Sequence, residues 1–439
     1  MDKKETVSQK LFKNASWLLG GKMAAGIFAT IEVVILARML GVEDYGLLVL
    51  VVVYVDIMDR LFDLRVWETA TKYIGSYLVE GENDKVLSVI KFSFLVNIFS
   101  GFLALVITIL TAKLAEKYFI HSPGAFYFIY IYAFSMLFNT ANYTSDAILR
   151  IFDKFKSIAF ISTFYNFFKL AVVLIVLYLG LGIEVVLFGY VAASFLSLLI
   201  RLTLVTRTLN ENNLKRWWSA KLGLIRDKWK EIGWFLGNTT LAGTLKMAND
   251  EYLGVLLLGY WSGKDSVAYY KIAKSFVKLL LRIEDPLYET IYPELVRFSK
   301  LNALGELKNL IIYSVKKLLI YIVPVIILVL IFAGLIINAI YGKEYLDAVN
   351  ALRVVTVAGL ISLSIFWINP VLLSFGKPGI RNVVDIITII SFVILLFILV
   401  RDYSYMGAAF SFLGSVVIRL IVSIFALKVS IKNRKEEFS

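Results

Sequence analysis

Apolar residues run along this chain in long blocks, unlike the alternating stretches of a half-buried strand or the one-sided stripe of a soluble helix. Bounding the blocks by charged or Gly/Pro-containing connections predicts twelve helices, over residues 14–40, 45–73, 85–111, 123–148, 155–180, 182–208, 229–259, 266–296, 305–334, 345–376, 378–400 and 404–430. Most exceed the roughly 20 residues that cross a bilayer, so tilt, kinks or protrusion are expected. The longest connection covers residues 207–230. Within it Trp218, Leu222, Ile225 and Trp229 recur at helical spacing, with Lys215, Arg216, Lys221, Arg226 and Lys228 nearby. This pattern predicts an amphipathic helix on the inner leaflet, its Trp rings at headgroup level; the alternative is a solvated loop. The connection divides the chain into 1–208 (helices 1–6), a cytoplasmic linker 209–228, and 229–439 (helices 7–12). Trp17, Gly20, Ala25 and Gly26 return as Trp234, Gly237, Ala242 and Gly243, a faint echo between the halves. Six-helix halves of equal orientation would be parallel repeats about an axis along the membrane normal, enclosing a central cavity.

Composition removes the other fold classes. The chain is 59% hydrophobic and 18% charged, with a mean hydropathy of +0.78, which leaves a soluble enzyme or a disordered chain no way to hide its apolar surface. With no cysteine, disulfides, thiolate metal sites and thiol chemistry are excluded. The net charge of +13 asks which side of a membrane the cations occupy before it asks about nucleic acid, and no nucleic-acid partner is expected. With the N-terminus inside, the inner connections and termini carry 25 Lys and Arg, whereas the outer loops carry only Lys113, Lys117, Lys264, Lys343 and Arg401. The positive-inside rule then places both termini in the cytoplasm. The first apolar stretch is too long for a cleaved signal peptide and lacks a small-residue cleavage site. The expected fold is an all-α polytopic protein of the inner (cytoplasmic) membrane, with twelve transmembrane helices in two six-helix lobes around a central cationic cavity.

Several charges fall where hydrocarbon is expected. Arg65, Lys72, Arg201, Lys316, Lys317 and Arg353 lie near predicted helix ends and can snorkel. In helix 8, Lys271, Lys274, Lys278 and Arg282 share one face within roughly 80° at 100° per residue, and Asp285 and Glu289 continue the stripe. Four such cations facing lipid would cost roughly 10–14 kcal/mol, so this face must line water or meet counter-charges. Pro286 and Pro293 are expected to kink the helix just below. Helix 2 carries Asp56, Asp59, Arg60 and Asp63 on one face near its middle, and helix 7 carries Thr239, Gly243, Lys246 and Asp250. Helix 1 contributes Lys22 and Glu32, while Lys169 and Arg419 sit near the midplanes of helices 5 and 12. A sealed salt-bridge network around Asp59, Arg60 and Asp63, or an i,i+4 pair of Lys246 and Asp250, would explain these residues without a ligand. Intramembrane ionisable residues are otherwise functional-site candidates. A cavity lined by Lys22, Arg60, Lys169, Lys246, Lys271, Lys274, Lys278, Arg282 and Arg419 would attract anions, phosphates above all. Asp56, Asp59, Asp63, Glu32 and Asp250 are the candidates for coupling to H+ or Na+. No other cofactor and no metal site is expected, and His121, in an outer loop, is a bystander.

The segment Ala37–Arg38–Met39–Leu40–Gly41–Val42–Glu43–Asp44–Tyr45–Gly46 resembles the signature that follows the first helix of bacterial and archaeal polysaccharide exporters, the O-antigen-type flippases for lipid-linked oligosaccharides. The basic stretch from Lys10 to Trp17, the twelve helices and the absence of large loops are similar too. This resemblance implies membership of a superfamily shared with multidrug and toxic-compound extrusion antiporters and lipid II flippases. It implies outward translocation of a polyprenyl-pyrophosphate-linked glycan, with membrane lipids and polysaccharide polymerase or assembly proteins as partners. It also implies that Arg38 and Gly41 are structural at the outer end of helix 1, and that helices 1 and 8 flank a lateral opening for the polyprenyl tail. A functional monomer suffices for a central cavity. The alternative is an ion-coupled multidrug antiporter of the same superfamily, which would favour an acidic cavity. A membrane glycan polymerase, ligase or glycosyltransferase would need a sizeable outer loop, and none is predicted. No Gly-rich phosphate loop of an ATP-driven pump is found.

Overall fold

The computed structural model describes residues 7–245 and 252–437. Among them the chain is helical, with no strands. Helix α1 (Val7–Leu61) is broken at Gly41, where φ is 71° and ψ −179°. That backbone region is open to glycine and strained for other residues. The same break recurs at Gly263 (φ 76°, ψ −179°) within α9 (Leu253–Leu281). A third interrupts α14 (Pro378–Glu437) at Ser404, φ 51°, whose hydroxyl lies 2.7 Å from that of Ser266. Between α1 and α9 run α2 (Val66–Glu80), α3 (Asn83–Ala115), α4 (Ala125–Ala133), α5 (Ser135–Ile151), α6 (Phe155–Leu179), α7 (Ile183–Glu211) and α8 (Trp229–Leu245). Beyond α9 follow α10 (Glu284–Lys300), α11 (Leu304–Ile340), α12 (Ala348–Ser364) and α13 (Ile368–Ser374).

Seven helical segments among the described residues are long and apolar enough to cross a membrane: Ser16–Leu61, Asn83–Ile120, Phe155–Leu179, Ile183–Glu211, Leu304–Ile340, Ala348–Ser374 and Gly379–Ile431. The protein is a multi-pass membrane protein. Two of these segments, of 46 and 53 residues, are more than twice the roughly 20 residues of one crossing, and each contains one of the breaks above.

Three sequence expectations need correction. The predicted helix 2 is not continuous from 45 to 73. It stops at Leu61 and restarts at Val66, so Asp56, Asp59 and Arg60 lie at a helix C-terminus rather than mid-helix. The cause is local: Asp63 Oδ1 accepts the backbone N–H of Arg65 at 2.9 Å, an Asx-type turn that competes with the helical ladder. The predicted helix 8 likewise divides, α9 ending at Leu281 and α10 starting at Glu284. Pro286 has no N–H for the carbonyl of Arg282 four residues back, and it is tolerated in the first turn of the next helix. Asp285 and Glu289 therefore belong to a different helix from the cations. The linker, finally, is not an amphipathic α-helix but two short 3-10 turns, Trp217–Ser219 and Leu222–Lys228. Its carbonyls bond to α3 instead of to a ladder: Lys91 Nζ donates to Ala220 O at 2.9 Å and the Ser88 hydroxyl to Lys221 O at 3.0 Å. Trp217 stacks on Phe94, and Ile225 is fully buried.

The chain forms two compact units. The first holds the chain to Leu40 and resumes at Leu47; the second holds Gly41–Gly46 and the chain from α9 onward. In the first unit Ile74, Val86, Ile90, Ile148, Leu149 and Leu209 form the centre of an apolar core between α2, α3, α5 and α7. In the second, Leu318, Ile322, Ile326, Leu363 and Phe366 pack α11 on the end of α12.

Candidate functional site

A cavity of about 430 Å³ opens inside the first unit. Its lining follows from helical spacing. Asn139, Asn142, Tyr143 and Asp146 stand at i, i+3, i+4 and i+7 and give α5 one polar face; Ser162, Tyr165 and Lys169 do the same on α6. The last turns of α1 supply Asp56, Asp59 and Arg60, α4 supplies Tyr132, and α7 supplies Ser197 and Arg201. Three carboxylates thus meet three cations.

The pairs extend behind the wall. Lys169 Nζ lies 3.1 Å from Glu32 Oε1, and Glu32 is only 3% exposed. The Tyr190 hydroxyl donates to the same carboxylate, and the Lys169 ammonium stands 3.9 Å from the Tyr190 ring centre, a cation–π contact strengthened by desolvation. Tyr190 packs edge-on against Tyr132, whose hydroxyl donates to Asp56 at 3.4 Å. Across the cavity Arg201 pairs with Asp146, and its Nε donates to the Ser197 hydroxyl at 3.4 Å. Asp59 lies within electrostatic reach of Asp56, Asp63 and Arg60. A buried charge in such a unit is tolerated only when paired and hydrogen-bonded.

Of the residues singled out in the sequence, Glu32, Asp56, Asp59, Arg60 and Lys169 come together here. Asp63 instead forms the turn after α1, and Lys22 is exposed on α1. Lys246 and Asp250 lie outside the described residues. The cations of the former helix 8 belong to the second unit: Lys271 and Lys274 are half-buried on α9, Lys278 is exposed, and Arg282 follows the helix. The Lys274 ammonium sits 3.2 Å from the Phe412 ring centre. Arg419, also in the second unit, faces Asp385 at 3.6 Å, as does Arg381.

Sequence reasoning missed two members. Arg201 was expected to snorkel from a helix end; it is 9% exposed and ion-paired inside the unit, because α7 runs on to Glu211. Asp146 was not singled out, although the polar i, i+3, i+4, i+7 face of α5 carries the signal.

The family described as polysaccharide biosynthesis protein matches residues 35–350, well over half of the chain and including the whole cavity lining. The chain belongs to the polysaccharide biosynthesis protein family. Among relatives of this family member, a Shigella flexneri protein named as an O-antigen transporter is 22% identical over 407 residues, covering 91% of this chain and 94% of that one. Two solved structures share the fold. An inward-facing multidrug resistance MATE family transporter of the MOP superfamily superposes with a TM-score of 0.76 at 14% identity, covering 94% of this chain and 96% of its own. The lipid II flippase MurJ, in an inward closed conformation, superposes with a TM-score of 0.71 at 16% identity, covering 93% and 86%. The solved structures that share this fold are thus those of a membrane transporter and a flippase.

Proposed function

We propose that this protein is a flippase that carries a polyprenyl-pyrophosphate-linked oligosaccharide from the inner to the outer leaflet of the cytoplasmic membrane by alternating access, for polysaccharide or O-antigen assembly. The observation that carries this reading is the family match over residues 35–350, on a fold shared with a lipid II flippase. A glycan drawn through hydrocarbon loses hydrogen bonds at several kcal/mol each, and a polar cavity within a membrane unit removes most of that cost. The pyrophosphate would be drawn past Lys22 and Arg60 of the first unit and held by Lys271, Lys274, Lys278 and Arg282 of the second. The polyprenyl tail stays in lipid. Two six-helix lobes, twelve crossings and cytoplasmic termini complete this proposal, with the breaks at Gly41, Gly263 and Ser404 serving as turns between crossings.

The membrane potential can drive the step. One charge moved across 100 mV is worth about 2.3 kcal/mol, so a pyrophosphate diester leaving a negative interior gains roughly twice that. Coupling to H+ or Na+ through Asp56 or Asp59 would add to it. The acidic members of the cavity, Asp56, Asp59 and Asp146, together with the MATE likeness, favour one second reading, an ion-coupled multidrug antiporter.

Proteoliposomes decide between them. Reconstituted protein is expected to expose undecaprenyl-pyrophosphate-linked oligosaccharide to an external glycosidase, faster than protein-free liposomes. Unaccelerated exposure, with proton-driven efflux of an organic cation, would establish the antiporter instead.

A further inference from the structure

Resting on the flippase reading, we infer that the cavity of the first unit is a sugar subsite, which receives a neutral or N-acetylated sugar ring of the glycan while the pyrophosphate is held elsewhere. Size comes first. At about 430 Å³ the cavity lies toward the small end of ligand pockets, which run from about 300 to 1,000 Å³. That is room for a sugar ring or a disaccharide, and far more than a bare cation needs.

Charge comes second. The lining sets Asp56, Asp59 and Asp146 against Arg60, Lys169 and Arg201. A pyrophosphate placed among them would face carboxylates as well as cations, and two of the three cations are ion-paired to carboxylates, Lys169 with Glu32 and Arg201 with Asp146. A neutral ligand rich in hydroxyls suits this mixture. Each hydroxyl both donates and accepts, so it serves carboxylates, cations and amides alike.

The remaining chemistry agrees. Asn142 donates to Asn139 Oδ1 at 3.2 Å, whereas its own Oδ1 is a buried acceptor with no hydrogen-bond partner among the described residues. Buried acceptors in this state cost stability unless something bonds them. A sugar hydroxyl or acetamido N–H would do so. Tyr132, Tyr143 and Tyr165 add amphipathic rings that offer a face to the C–H side of a pyranose and a hydroxyl to its rim.

The test uses the full chain in phosphatidylethanolamine/phosphatidylglycerol nanodiscs. Saturation-transfer NMR is run against glucose, galactose, mannose, N-acetylglucosamine, N-acetylgalactosamine and their β-linked disaccharides, with inorganic pyrophosphate as competitor. At least one sugar is expected to bind, and pyrophosphate is expected not to displace it. The isosteric change Asn142→Asp, and separately Tyr165→Ala, should weaken that sugar's apparent affinity by about tenfold or more, with thermal unfolding in the same nanodiscs confirming folded protein. Binding of no sugar, displacement by pyrophosphate, or affinity unchanged in both variants overturns the subsite. Failure of the flippase reading looks different: sugars bind, yet lipid-linked oligosaccharide is not translocated in proteoliposomes.

Discussion

Replacing Lys169 by Met should destabilise the first unit far more than replacing Lys169 and Glu32 together. In the native protein the ammonium and carboxylate are 3.1 Å apart, with side chains 18% and 4% exposed. Met keeps the length and apolar volume of the lysine stem but leaves Glu32 buried opposite no cation. Breaking one side of such a pair costs about 3–5 kcal/mol. The Tyr190 hydroxyl still donates to Glu32, so the expected deficit lies in the lower part of that range, about 3–4 kcal/mol. The double variant Glu32→Gln/Lys169→Met removes both charges and leaves Tyr190 an amide oxygen to bond, so its deficit should be about 1 kcal/mol. For a unit of this size each kcal/mol moves the melting temperature by about 2–4 °C, so thermal unfolding in nanodiscs should put Lys169→Met roughly 6–16 °C below the native protein and the double variant within a few degrees. Equal melting of the single and double variants would refute the pairing.

Charge reversal of the second unit's cations, Lys274→Glu with Lys278→Glu, should abolish glycan display on cells while folded protein remains in the membrane; normal display would show that α9 does not handle the pyrophosphate. Liposomes with an imposed potential but no pH or sodium gradient should support translocation of lipid-linked oligosaccharide, and transport only when an ion gradient is added would give the coupling role to Asp56 and Asp59. Gly41→Ala should cost about 1–2 kcal/mol by thermal unfolding, because the backbone there has φ 71°; a neutral effect would mean that the break rearranges.

The membrane class was legible in the apolar blocks, and Glu32, Asp56, Asp59, Arg60 and Lys169 were each visible as charges where hydrocarbon was expected. Their partnership was not. Lys169 finds Glu32 across most of the first unit's sequence, and no periodicity within one helix encodes which helix faces it. The break at residues 62–65 was hidden because the apolar spacing runs straight through a turn fixed by one carboxylate–amide bond. Arg201 was misplaced for a related reason: helix ends are the least certain part of a sequence-based assignment, and three extra residues on α7 turn a snorkelling end group into an interior one. The linker showed helical spacing, yet its polar backbone was satisfied by Ser88 and Lys91 on α3, a tertiary contact that local pattern does not contain.

The chain leaves the first unit for Gly41–Gly46 and then returns to it. In that excursion Tyr45 is 2% exposed, Glu43 pairs with Lys264 at 2.5 Å, and a methyl group on Gly46 would overlap the Lys264 carbonyl. A polypeptide truncated before α9 would carry Tyr45 stripped of its seat, an uncovered aromatic ring prone to sticking to other chains. Two fragments cut at the linker and expressed together should therefore recover one another, with this short insert as their clasp.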